Sequence, residues 1–85
     1  MKIPDSIDIG GKTYSVRIKD IADAGYADLE RHVIYINERL CPREQEATFI
    51  HEVIEVINND CEFSLAHQTI CTFETLLYQV VQQLV

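Results

Sequence analysis

Residues 32–37 read His32-Val33-Ile34-Tyr35-Ile36-Asn37, and residues 42–58 read Pro42-Arg43-Glu44-Gln45-Glu46-Ala47-Thr48-Phe49-Ile50-His51-Glu52-Val53-Ile54-Glu55-Val56-Ile57-Asn58. The change of period between these two stretches decides the fold. The first is rich in β-branched and aromatic side chains, which suit a pleated strand. Val33 and Tyr35 fall on one of its faces, Ile34 and Ile36 on the other. The second opens on a proline, which is tolerated in the first helical turn because its missing N–H would have no partner there. Glu44 and Glu46 place negative charge at the positive end of the helix dipole. Ala47, Ile50, Val53, Ile54 and Ile57 recur at helical spacing as a broad apolar stripe, bordered by Glu44, Thr48, His51, Glu55 and Asn58. Asn58-Asn59-Asp60 is a stop signal.

The same change of period divides the whole chain. Ile7-Asp8-Ile9 and Thr13-Tyr14-Ser15-Val16-Arg17-Ile18 alternate around Gly10-Gly11, the pattern of a β-hairpin with a two-residue turn. Tyr26 to Glu30 is a short candidate strand, joined to residues 32–37 by a tight turn at Arg31-His32. C-terminal to the first helix, Ser64 is placed to cap a second one, which runs from Leu65 to near the end. Its apolar stripe is Ala66, Ile70, Phe73, Leu77, Val80, Val81 and Leu84, with His67, Cys71, Glu74 and Tyr78 along one border. About six residues separate the helices, so they form an antiparallel hairpin. The pattern predicts one α+β domain over residues 1–85. A small antiparallel sheet of three to four strands (7–37) is followed by a two-helix hairpin (43–85).

Composition narrows the function classes. The chain has 85 residues, 14 acidic and 7 basic, for a net charge of −7. Such a surface repels nucleic-acid phosphates and anionic lipid, so a charged partner should be basic. No apolar run reaches the roughly 20 residues of a membrane span, and the start has no signal-peptide core. Three cysteines, Cys41, Cys61 and Cys71, without a CxxC pair make poor material for a disulfide framework. A reducing cytoplasm is the expected location.

His51 and Glu55 lie one helical turn apart, so both can reach one ion. Glu52 points about 100° away, where it can reach a metal-bound water. Two ligands at i and i+4, with a Glu after the first as general base, is the arrangement of zincins. The usual second ligand is His; here it is Glu55. His67 on the second helix restores a set of two imidazoles and one carboxylate. Glu74, two turns further along the same face, is the competing third ligand. Tyr78 borders the same stripe and is a candidate oxyanion donor. Cys71 is a soft donor nearby, although a small packed thiol is its commoner role.

The strands before TFIHEVIEVIN (48–58), the short turn, and LAHQTICTFETLLYQVV (65–81) resemble small zincin-like metallopeptidases of phages and prophages, which sit loosely beside the ImmA/IrrE and SprT-like zincins. The resemblance implies a minimal zincin-like domain with Zn²⁺ held by His51, Glu55 and His67. It implies Glu52 as the general base, a peptide or protein substrate, and a substrate-binding strand beside the active helix, here residues 32–37. The alternative is a catalytically silent zincin-like module that binds or inhibits a protein partner, with exposed Ile and Val on the helices marking a homodimer interface. A third possibility is a structural site with all four metal positions filled.

Overall fold

The computed structural model describes residues 1–85. Strands β1 (Ser6–Ile9), β2 (Lys12–Lys19), β3 (Gly25–Asp28) and β4 (Val33–Asn37) precede helices α1 (Pro42–Asp60) and α2 (His67–Leu84). This is the α+β architecture that the pattern predicts. Gly10 and Gly11 take φ of 59° and 81°, so the β1–β2 hairpin turns through left-handed backbone that glycine adopts without a Cβ clash.

The strand order is β1-β2-β4-β3. β1 pairs with β2, and β3 with β4, antiparallel, but β2 and β4 pair in parallel with Val16 opposite Ile34. The sheet is therefore mixed, where the sequence suggested antiparallel pairing throughout. The cause is the connection after β2, which passes the end of β4 before β3 returns, so β4 inserts next to β2. Asn37 holds that crossing in place. Its Nδ2 donates to the carbonyls of Ile21 and Asp23, both at 3.1 Å, from a buried position.

One face of the sheet is covered. Tyr14, Ile34 and Ile36 are fully buried against Phe49 and Val56 of α1. The sheet-facing side of α1 is thus Phe49, Glu52 and Val56, rotated from the stripe that the sequence suggested. Ile50 and Val53 pack at its flank, and Ile57 is exposed. Residues 49–57 are apolar at so many positions that periodicity alone sets the phase poorly.

α2 packs on α1 and touches no strand. It buries only Ile70 and Tyr78. Of the rest of its expected core stripe, Phe73, Leu77, Val80 and Leu84 face outward and Val81 is half-buried. Ser64 does not cap α2. It sits at φ 59°, Ala66 is the N-cap, and Asn58 Oδ1 accepts from the Leu65 N–H at 2.8 Å.

Gly25 sets how closely α1 approaches the sheet edge. A Cβ there would lie 2.6 Å from Thr48 Cγ2 and 2.8 Å from the Tyr35 carbonyl oxygen. The methyl of Thr48 can rotate away, but the backbone oxygen cannot. Gly25→Ala should therefore cost about 1–3 kcal/mol by overpacking. Urea unfolding measures this, and an unchanged midpoint would contradict the close approach.

Candidate metal centre

His51 and Glu55 project from the middle of α1, and His67 is the first residue of α2. The loop between the helices reverses the chain with Glu62 and Ser64 in left-handed backbone, at φ 56° and 59°. That reversal lays the start of α2 against α1. One donor atom from each of His51, Glu55 and His67 lies within 4.8 Å of the others. Zinc at its usual bond lengths holds neighbouring donors about 3.4 Å apart. Binding would draw the three donors together by side-chain rotation. Two imidazoles and a carboxylate are also a donor set that zinc favours. The residues fit the ion by position and by chemistry.

Glu74 stands behind this set and is not among the three. Its Oε1 is 2.8 Å from His51 Nδ1. A carboxylate accepts, so Nδ1 carries the proton and Nε2 is left free to ligate. Carboxylate–histidine pairs of this kind orient the ring and raise its basicity as a ligand. Glu74→Ala should weaken zinc binding about 10–100-fold while leaving one site per chain. Competition with a chromophoric chelator reads the change, and unaltered affinity would remove Glu74 from this role.

Glu52 is one of two buried polar side chains, 7% exposed, and it lines the same cleft. Burial pushes its carboxyl up to about 7. His51 opposes the shift, whereas Glu55, Glu74 and Asp23 add to it by repulsion. The carboxyl is thus poised near neutrality, where a general base works best. The cleft has a volume of about 770 Å³, and β3 forms one wall through Gly25, Tyr26 and Ala27.

Other expected positions lie elsewhere. Tyr78 is outside this cleft. Its hydroxyl donates to Glu46 Oε1 at 3.0 Å and accepts from Gln82 Nε2 at 2.8 Å. Burial and the bond to Glu46 raise its pKa, and that bond joins α2 to α1 away from the three-donor cluster. Cys71 lies beside His67, Sγ to Nε2 at 3.4 Å, and outside the three-donor cluster. Residues 33–37 form a central strand with both edges paired, so they cannot take an added strand; the free edge beside the cleft belongs to β3. Asp23 was not foreseen at the site. It sits in an irregular connection, and only the crossing after β2 brings it near Glu52.

Comparison with protein-family models, with curated proteins and with solved structures finds no match to this chain.

Proposed function

We propose that this protein is a zinc-dependent peptidase of minimal zincin type. The convergence of His51, Glu55 and His67 from two helices carries the proposal. Zinc held there supplies a Lewis acid that polarises a carbonyl and acidifies water. The chain's own residues do the rest. Glu52, buried at the wall of the cleft, accepts the proton at its carboxylate. Glu74 fixes the ring of His51. The unpaired edge of β3 receives an extended peptide through main-chain hydrogen bonds, alongside the cleft. The acidic lining of the cleft, with Asp23, Glu52, Glu55 and Glu74, suits a basic segment of substrate.

The sequence features of residues 48–58 and 65–81 support placing the chain beside the small phage and prophage zincin-like proteins. Its three free thiols suit a cytoplasmic setting. No helix is long and apolar enough to cross a membrane.

A fluorogenic peptide library tests the proposal. Cleavage should require zinc, stop on chelation, and return on adding zinc back. Zinc binding without cleavage of any peptide would favour the competing role, a silent protein-binding module. The exposed apolar side of α2 is the observation that supports this competitor.

A further inference from the structure

We infer that the outward side of α2 is a self-association surface, taken up by α2 of a second copy of this chain. Phe73, Leu77, Val80 and Leu84 follow one another at spacings of four, three and four residues, the a/d spacing of a helix seam. All four are exposed, at 45%, 45%, 50% and 78%, and Leu76 beside them at 53%. α2 meets only α1, so no strand covers this side. Single exposed apolar residues are ordinary, but a contiguous row along one helix is not.

Charge identifies the occupant. The chain carries a net charge of −7, so two copies repel unless they meet on a neutral face. α2 contains no Lys, Arg or Asp, and its one acid, Glu74, is turned to His51. The polar residues bordering the row are Thr72, Gln79 and Gln83, which carry no charge to attract or repel a second copy. A basic partner would find nothing to pair with here. An isologous pairing needs a patch complementary to itself, and an uncharged row at a/d spacing meets that need. Pairing along the whole row must remove about 1,000 Å² in total, the least that a biological interface should clear.

The surface is separate from the metal cluster, and the test is run on the protein as purified, with no chelator to loosen α2. Sedimentation equilibrium of the full chain from micromolar to several hundred micromolar should approach twice the 9.8 kDa chain mass. Leu77→Glu and Val80→Glu should each sediment as monomers with unchanged circular dichroism. Ile18→Glu, an equally exposed position at 45% on β2, should leave the dimer intact. A wild-type chain that stays monomeric throughout overturns the inference. So does a dimer that survives both α2 substitutions, or one that Ile18→Glu disrupts equally.

Discussion

Zinc in hundredfold excess over its dissociation constant should raise the thermal midpoint of the metal-free protein by about 10–20 °C. Binding at that excess stabilises by about 2.7 kcal/mol, and each kcal/mol moves the midpoint of a domain this size by about 4–8 °C. The effect follows from how weakly α2 is held. It buries only Ile70 and Tyr78, and it meets no strand. An ion shared by His51 and Glu55 of α1 and His67 of α2 would clamp the second helix to the first. Without the ion, α2 should open first, and its amides should exchange faster than those of β2 and β4. His51→Ala and His67→Ala should each remove most of the shift. Scanning calorimetry checks this directly, and an equal shift in both variants would contradict shared ligation. Acidification should reverse the stabilisation, because an imidazole binds metal only in its neutral form.

Glu52→Gln should abolish hydrolysis while keeping zinc, a loss of about 10²–10⁴-fold, the usual contribution of a general base. It should also change stability in a definite direction. In the metal-free protein the Glu52 carboxyl is raised from 4.5 to about 7. The folded state therefore prefers it neutral. Below pH 4.5 it is neutral both folded and unfolded, and folding carries no ionisation cost. The cost grows as the pH rises through the interval and is complete above about 7. Metal-free wild type should thus be less stable at pH 8 than at pH 5 through this residue, by about 2 kcal/mol after allowing for screening by cleft water. The isosteric amide removes that dependence and should be the more stable protein at pH 8. Parallel urea titrations at the two pH values measure it. If Glu52→Gln were less stable than wild type at pH 8, Glu52 would be a structural hydrogen-bonding residue and not a strained base.

Much of this arrangement is legible in the residues. Gly10-Gly11 between alternating runs announces the first hairpin, and Pro42 marks the start of α1 to the residue. His51 and Glu55 share a helix face because 3.6 residues make a turn, whatever the tertiary context. Glu74 shares a helix border with His67 by the same spacing, and it bonds to the His51 ring at 2.8 Å. Strand neighbours are another matter. Alternation identifies β2, β3 and β4, but only the crossing held by Asn37 determines that β4 enters beside β2. The rotation of α1 was hidden because residues 49–57 are apolar on several sides. Gly25 leaves room for Thr48 and Glu52 close to the sheet edge in that rotation. The burial of Glu52 follows from that rotation, and no local pattern around a glutamate signals it. The outward stripe of α2 misled for a physical reason: helical periodicity shows that a helix has an apolar side, not what that side meets.

The central claim is that one ion joins the two helices, and metal content tests it most directly. Untagged protein purified without chelator, then measured by mass spectrometry, should hold close to one zinc per chain. His51→Ala and His67→Ala should hold essentially none. Wild-type protein that takes up no zinc, even after dialysis against it, would contradict the metal centre and the peptidase proposal with it.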